Sequence, residues 1–152
     1  MLGYWEKPQD TSSAIDTSRW IRTGNLAQMD HDGYVSIVVR TKEMIIRGGE
    51  NIYPRKVEEF LYTHPVIEDA QVLGVPSEKY GEEVMAWVKS KQGARLSADS
   101  LAAFCKGRNA TYKIPRYWKL VEAFPITVTG KVQKFRMREI AVSERSTERR
   151  TP

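Results

Sequence analysis

Three stretches of the central and C-terminal chain have the pattern of short strands. Apolar and polar residues alternate along Ile67–Val75, and Glu83–Lys89 and Tyr117–Val121 are the second and third stretches. A two-residue period is typical of β-strands, because successive side chains of a strand point to opposite faces of its sheet. The connection between the first two contains Pro76, Tyr80 and Gly81, which favours a turn. Three strands of a central sheet are therefore predicted.

Apolar residues at helical spacing lie before, between and after these strands. Pro54 suits the first position of a helix that Pro65 ends, and Ser97 can cap a second helix. A third helix is predicted around Phe135 and Ile140. Together the pattern predicts an α+β fold, with a small central sheet of about three strands flanked by helices.

Shorter strands are predicted upstream of this sheet. They are Trp20–Thr23, Ala27–Met29, Tyr34–Val39 and Met44–Arg47, after an irregular stretch that covers residues 1 to about 18. Asp30-His31-Asp32-Gly33 has the composition of a hairpin turn. A short β-hairpin segment is therefore expected to precede the central sheet.

Composition narrows the class of protein without identifying it. The 152 residues are 41% hydrophobic and 28% charged, which is ordinary for a globular domain. No apolar run is long enough to span a membrane and the N-terminus has no signal-peptide organisation, so a cytoplasmic location is expected. The single cysteine, Cys105, lies among apolar residues and is interpreted as a core residue. Two histidines and one cysteine make a structural zinc site improbable, so no metal ligands are predicted.

Positive charge is concentrated near the C-terminal end. The formal net charge is +5, yet residues 106–138 contain nine Lys or Arg residues and a single acid, Glu122. Such a stretch favours an anionic partner, and nucleic acid, a membrane surface and a polyphosphate cofactor are all compatible with it. A solvated basic face without a partner is also compatible with this stretch, so charge alone does not distinguish these possibilities.

Lys131 is the most informative residue within this basic stretch. It ends the sequence Pro125-Ile126-Thr127-Val128-Thr129-Gly130-Lys131, where small side chains and a glycine leave its ammonium free to reach an anion. A phosphate loop of the Walker type is excluded, because Pro125 and Val132 occupy the positions of its first glycine and its Ser or Thr. An ordinary turn with the lysine in water is the alternative.

Five separated motifs in this chain closely resemble the C-terminal portion of acyl-CoA synthetases of the adenylate-forming superfamily. They are Gly3-Tyr4-Trp5, the segment 20–25, the segment 40–54, Tyr112-Lys113-Ile114-Pro115-Arg116 and Thr129-Gly130-Lys131. The resemblance extends from about Gly3 to about Ala141 in the order and spacing of that family, and it is nearest to fatty-acyl-CoA synthetases of the medium-chain type.

The resemblance implies a ligase that joins a carboxylate to ATP and then transfers the acyl group to coenzyme A. In such enzymes the lysine matching Lys131 bridges the carboxylate and the α-phosphate during adenylation. Arg40 matches the arginine that binds the ribose of AMP, and Lys42 matches the hinge of the mobile domain. Mg²⁺ is implied as a cofactor that the larger N-terminal domain holds.

The same resemblance implies residues for the thioester-forming step. Gly48 and Gly49 match the loop that lines the tunnel for the pantetheine arm of coenzyme A. Tyr112 and Arg116 match positions that contact the nucleotide of coenzyme A, by stacking on adenine and by pairing with phosphate.

Two residues depart from the family pattern. Asn25 replaces the aspartate of a Thr-Gly-Asp motif, whose carboxylate accepts hydrogen bonds from both ribose hydroxyls. Loss of that charged acceptor is expected to weaken ATP binding by about 1–3 kcal/mol. Val39 stands where a glycine commonly precedes the arginine, and it adds bulk beside the hinge.

The domain organisation follows from the resemblance. Residues 1–40 are expected to be the end of the large N-terminal adenylation domain, residues 41–142 the mobile C-terminal domain, and residues 143–152 a disordered tail. The chain is then a fragment, inactive alone, whose partners are its own N-terminal domain, a fatty acid or other carboxylate, ATP and coenzyme A. A basic nucleic-acid-binding module with Tyr112, Tyr117 and Trp118 as stacking platforms, and an accessory domain acting in trans, are the alternatives.

Overall fold

Two units make up the computed structural model, which describes residues 1–148. The first is Met1–Lys42 and the second begins at Glu43. The first unit contains helix α1 (Pro8–Ala14) and the antiparallel strands β1 (Asn25–Met29) and β2 (Val35–Arg40). Asp30 makes the turn of this hairpin, because its Oδ1 accepts the N–H groups of Asp32 and Tyr34 at 3.0 and 2.9 Å. The predicted hairpin is confirmed.

The segment before the hairpin differs from the prediction in two ways. Residues 8–14 form α1, with Pro8 at the start of the helix, where an irregular stretch was predicted. The predicted strand Trp20–Thr23 is wrong, since Ile21 makes only an isolated bridge with Ile15. The reason is local: Asp16 Oδ1 accepts the N–H groups of Ser18 and Trp20 and so bends the chain.

The second unit contains a five-stranded sheet and three helices, which confirms the α+β class and corrects the predicted number of strands from about three to five. Its strands are β3 (Ile45–Arg47), β4 (Glu50–Ile52), β5 (Ile67–Ser77), β6 (Gly81–Ser90) and β7 (Tyr117–Leu120). The strand order is β4-β3-β6-β5. β7 pairs in parallel with β6, further along the same edge of β6 that pairs with β3. The sequence did not predict β4, whose three residues are defined by hydrogen bonding to β3.

Helices cover both faces of this sheet, and each face has its own core. They are α2 (Pro54–Leu61), α3 (Ala98–Cys105) and α4 (Lys134–Glu148). Val84 and Val88 of β6 point to a core shared with α2 and α3, whereas Trp87 points to a core shared with Met137 of α4. Opposite faces of β6 are therefore both buried, which fits its five consecutive apolar residues, Val84–Val88.

Two sequence predictions about α3 are confirmed. Ser97 caps the helix, because its Oγ accepts the N–H of Ser100 at 3.1 Å while Ser100 Oγ accepts the N–H of Ser97 at 3.1 Å. Cys105 is fully buried in the first core, and burial raises the pKa of its thiol to about 11. The thiol therefore stays protonated at neutral pH and acts as a packing residue.

Helix α4 extends further than the sequence predicted. It continues to Glu148, so the disorder predicted from Ser143 onward is wrong for residues 143–148, and residues 149–152 lie outside the described part of the chain. Side-chain contacts explain the extension. The guanidinium of Arg145 lies 3.8 Å from the ring centre of Tyr117, and Glu144 pairs with Lys119.

Candidate functional site

Lys131 ends a tight turn that leads into α4. The backbone carbonyl of Lys131 accepts the N–H of Thr127 at 2.8 Å, and Thr127 Oγ1 accepts the N–H of Lys131 at 3.0 Å. Gly130 has φ of 79°, a conformation that most side chains disfavour. The side chain of Lys131 is exposed, and its ammonium makes no hydrogen bond or ion pair with any residue that the structure describes. The amine is therefore available to an anionic ligand, which is the property that the sequence predicted for it.

A shielded ion pair fastens the chain three residues after Lys131. Lys134 is the first residue of α4, and its Nζ lies 2.6 Å from Glu58 Oε1 of α2 and 3.3 Å from the carbonyl oxygen of Val72 in β5. The same Glu58 oxygen accepts the N–H of Val72 at 2.8 Å. The side chains of Lys134 and Glu58 are only 22% and 12% exposed, so water screens this pair weakly.

Asn25 and Arg40 are brought together by the hairpin of the first unit. They are directly opposite each other on β1 and β2, and both are exposed. The carbonyl oxygen of Gly24 accepts the N–H of Thr41 at 2.8 Å, which extends the pairing beyond the strands. Directly opposite residues of an antiparallel pair present their side chains on the same face. A single ligand group can therefore contact both side chains.

Lys42 lies at the boundary between the two units. It occupies the middle of a 3₁₀ turn formed by Thr41–Glu43, and its side chain is exposed. The first unit ends at this residue. The predicted hinge therefore falls at the position where the chain passes from one unit to the other.

Gly48 and Gly49 form the two-residue turn between β3 and β4. Their φ angles are 56° and 89°, and Arg47 and Glu50 pair on either side of them. Positive φ at both central residues is typical of the tight turns that glycine favours in hairpins. The N–H of Gly48 also donates to the carbonyl oxygen of Tyr80 at 2.9 Å.

Three side chains surround the start of this glycine turn. Arg47 forms an ion pair with Glu83, and its guanidinium lies 4.0 Å from the ring centre of Tyr80. The Glu83 side chain is 3% exposed, and the hydrogen bond to it raises the pKa of Arg47. The turn is therefore attached to β6 through a carboxylate that is shielded from water.

The two glycines differ in the space around them, which gives a stability prediction. A Cβ added to Gly48 would lie 3.1 Å from Cδ1 of Tyr80, whereas one added to Gly49 would meet no atom within 4 Å. Gly49→Ala is expected to lower the free energy of unfolding by about 1–2 kcal/mol through its positive φ alone. Gly48→Ala should cost more, because it adds the contact with Tyr80. Urea unfolding of the two variants measures the difference, and an equal loss would contradict it.

Tyr112 and Arg116 are placed differently from each other. Tyr112 lies in a 3₁₀ turn, where its half-buried ring packs against the first core and Lys113 Nζ lies 5.5 Å from the ring centre. Arg116 is exposed, and its N–H donates to the carbonyl oxygen of Val84 at 2.9 Å. Arg116 is thus free to pair with a phosphate, while Tyr112 has only part of its ring available for stacking.

No local sequence pattern indicates that Glu58 meets Lys134 or that Glu83 meets Arg47, because the partners are separated by 76 and 36 positions. Of the four residues, only Arg47 and Lys134 lie near a predicted motif, directly before Gly48 and three residues after Lys131.

Residues 1–148 contain no group of three or more His, Cys, Asp or Glu side chains arranged to hold a metal ion. None of the helices in this range is long and apolar enough to cross a bilayer. No role in binding the Mg²⁺ that the sequence resemblance implies is assigned to the residues that the structure describes.

Comparison with known proteins connects this arrangement to one family. Residues 56–131 match the family model described as the AMP-binding enzyme C-terminal domain. The chain is 50% identical over 139 residues to a Bos taurus protein named medium-chain acyl-CoA ligase ACSF2, mitochondrial, and the match covers 91% of this chain and 23% of that protein. It is 52% identical over 139 residues to the putative acyl-CoA synthetase YngI of Bacillus subtilis strain 168, covering 91% of this chain and 25% of that protein. The chain thus spans about a quarter of the length of these curated relatives.

Two solved structures also resemble this chain. ATP-bound MatB from Rhodopseudomonas palustris superposes with a TM-score of 0.85 at 34% identity, over 91% of this chain and 27% of that chain. The o-succinylbenzoate CoA synthetase MenE of Bacillus subtilis, in complex with the acyl-adenylate intermediate OSB-AMP, superposes with a TM-score of 0.78 at 30% identity, over 90% of this chain and 28% of that chain.

Proposed function

Because the chain belongs to the AMP-binding enzyme C-terminal domain family of adenylate-forming acyl-CoA synthetases, we propose that it serves as the C-terminal domain of an ATP-dependent fatty-acyl-CoA synthetase. The family model covers residues 56–131, and the relatives named acyl-CoA ligase or acyl-CoA synthetase match over 139 residues. The rest of each relative is about three times longer than this match, so the acyl pocket and most of the ATP site belong to the part that this chain does not include.

The proposed reaction has two steps. In the first, an oxygen of the substrate carboxylate attacks the α-phosphorus of ATP, and pyrophosphate leaves as the acyl-adenylate forms. In the second, the thiol sulfur of coenzyme A attacks the acyl carbonyl carbon, the thiol proton is lost to solvent, and AMP leaves. The whole is an acid–thiol ligase reaction of the AMP-forming type.

The observation that carries this proposal is the exposed, unpaired ammonium of Lys131 on its tight turn, within the part of the chain that the structure describes. The first step brings a carboxylate and a phosphate together, and two anions repel each other. A compact cation between them lowers this repulsion and orients the attacking oxygen. Lys131 is therefore assigned as the catalytic residue of adenylate formation.

Three residues of the hairpin and the unit boundary are assigned to nucleotide binding and domain motion. Asn25 and Arg40, directly opposite each other, contact the ribose of the nucleotide, with the guanidinium as donor and the amide oxygen as acceptor. Lys42 serves as the hinge, because an exposed residue in a short turn can change its backbone torsions without breaking a packed core.

The glycine turn and the 3₁₀ turn are assigned to coenzyme A. Gly48 and Gly49 present backbone without side chains, so a pantetheine arm can pass close to them. Arg116 pairs with a phosphate of the nucleotide, and Tyr112 offers the exposed part of its ring to the adenine. Of these residues, Tyr112 is the one whose side chain packs against the first core.

Within this proposal the chain alone is inactive, because the large N-terminal adenylation domain supplies the remaining groups and binds Mg²⁺. A carboxylate substrate, ATP and coenzyme A are the expected partners of the whole enzyme. The cytoplasmic location stays a prediction, since the names of the ACSF2 relatives place those proteins in mitochondria.

The alternative of a nucleic-acid-binding module has weaker support from the side chains. The three rings proposed as stacking platforms are half-buried: Tyr112 and Trp118 pack against the first core, and Tyr117 packs against the second. The guanidinium of Arg145 already lies over the Tyr117 ring. Stacking of several successive bases needs several free ring faces, whereas the ligase requires only the exposed part of the Tyr112 ring to contact one adenine, so this arrangement favours the ligase.

Isotope exchange between pyrophosphate and ATP, with a panel of carboxylic acids, tests the proposed function directly. The assay enzyme is the full-length protein encoded by the reading frame. If that frame begins at Met1, the assay enzyme is instead the Bacillus subtilis relative in which this chain replaces the matching quarter. Exchange that depends on a fatty acid is expected. Absence of exchange with every acid would overturn the ligase proposal in favour of a binding role.

A further inference from the structure

We infer that the two shielded ion pairs, Glu58–Lys134 and Glu83–Arg47, position the two functional turns separately. The first holds the Lys131 turn for adenylate formation, and the second holds the Gly48–Gly49 turn for thioester formation. This inference rests on the proposed function, because it assigns one step of that reaction to each turn. The four residues are positioning residues, since they act through the turns and not on the reacting atoms.

The pair Glu58–Lys134 fixes the C-terminal end of the Lys131 turn. Only two residues separate Lys131 from Lys134, whose ammonium contacts both Glu58 Oε1 and the carbonyl oxygen of Val72. The N–H of Gln133 donates to the carbonyl oxygen of Pro125 at 2.9 Å and closes the base of the turn. The turn is thereby attached to α2 and β5, although its own tip is exposed.

The pair Glu83–Arg47 fixes the N-terminal end of the glycine turn. Arg47 immediately precedes Gly48, and its guanidinium is held between the Glu83 carboxylate and the Tyr80 ring. The N–H of Gly48 donates to the carbonyl oxygen of Tyr80, so a backbone hydrogen bond and a side-chain ion pair hold the same end of the turn. Two adjacent glycines are otherwise free to adopt many conformations, which makes an external support necessary.

The two pairs have no residue in common and involve different elements. Glu58 and Lys134 connect α2 with α4, whereas Glu83 and Arg47 connect β6 with β3. Each carboxylate is 12% exposed or less, so neither ion pair is an ordinary surface pair that contributes little. The loss of one pair should therefore disturb its own turn and leave the other turn in place.

Neutral isosteres of the two carboxylates in the assay enzyme separate the effect on adenylate formation from the effect on thioester formation. Glu58→Gln is expected to slow pyrophosphate exchange about tenfold and to change thioester formation from supplied acyl-adenylate by less than about twofold, because a small displacement of a reacting group slows only its own step. Glu83→Gln is expected to show the reverse pattern. The ratio of the two rates within one preparation does not depend on the fraction of folded protein, so partial unfolding cannot imitate the result.

Matched variants test whether the ion pair itself is responsible. Lys134→Arg should restore most of the exchange rate that Lys134→Met loses. The double variant Glu58→Gln/Lys134→Met should lose no more than either single variant, since both remove one interaction. Glu68→Gln, which removes an exposed ion pair with Lys89, should leave both rates unchanged.

The inference is overturned if Glu58→Gln and Glu83→Gln lower pyrophosphate exchange and thioester formation by the same factor. It is also overturned if neither variant changes the ratio of these two rates. Lys131→Ala, measured in parallel, keeps this outcome distinct from failure of the proposed function. A selective loss of exchange in Lys131→Ala, without separation of the two Gln variants, rejects only the positioning role. Normal exchange in Lys131→Ala rejects the catalytic role of Lys131, and absence of exchange in the parent assay enzyme with every acid rejects the proposed function itself.

Discussion

Lys131→Ala is expected to slow acyl-adenylate formation by a factor of about 10²–10³, the usual effect of removing one group that stabilises transition-state charge. Thioester formation from supplied acyl-adenylate should change far less. The reason is electrostatic: only the first step brings two anions together, and the structure leaves the Lys131 ammonium exposed and without a partner among residues 1–148. Pyrophosphate exchange and single-turnover thioester formation in the assay enzyme measure the two steps.

Lys106→Ala is the matched control for this result. Lys106 is exposed in the same basic stretch and follows directly after α3, so its removal changes the net charge equally. Both rates should stay unchanged in this variant. Equal losses in the two steps of Lys131→Ala would refute the assignment, and an effect of Lys106→Ala as large as that of Lys131→Ala would indicate a general effect of charge.

Local signals in the sequence were sufficient for the two functional turns. Gly130 and its neighbouring threonines predicted a turn at Lys131, and φ of 79° at Gly130 shows why glycine is needed there. Gly48 and Gly49 predicted a bend, and both have positive φ. Such turns depend on the conformational freedom of one or two residues, so a single sequence already contains the information.

Contacts between distant residues could not be predicted in the same way. Glu58 and Lys134 are separated by 76 positions, and their meeting depends on the packing of α2, β5 and α4. Strand β4 was missed because hydrogen bonding to β3, and not hydrophobic period, defines its three residues. Helix α4 extends past the predicted boundary because Glu144 and Arg145 find partners on β7.

A small irregularity in the hairpin determines which residue lies opposite Asn25. A regular continuation of the pairs Met29–Val35 and Ala27–Ile37 would place Asn25 opposite Val39. A bulge between Leu26 and Ala27 shifts the register by one residue and places Asn25 opposite Arg40. Val39 instead pairs with Leu26, and its side chain is buried. The sequence predicted both residues as a candidate site but not the bulge that places them opposite each other.

This juxtaposition leads to the second prediction, that Asn25→Asp strengthens ATP binding. A carboxylate accepts hydrogen bonds with both oxygens and carries a charge, so it can bind two ribose hydroxyls where the amide offers one acceptor oxygen. It would also stand directly opposite the guanidinium of Arg40, and opposite charges across strands are favourable. A gain of about 1–3 kcal/mol corresponds to an affinity for ATP about 5 to 150 times higher.

Titration of the assay enzyme with ATP, in the absence of acyl substrate, measures this gain without involving catalysis. Gln28→Glu is the matched control, because it adds the same charge at an exposed position of the same strand, opposite Ser36 and away from Arg40. Its affinity for ATP should equal that of the parent protein. If Asn25→Asp binds ATP no more tightly than the control, position 25 does not contact the ribose. The weakness predicted for Asn25 would then have no physical basis.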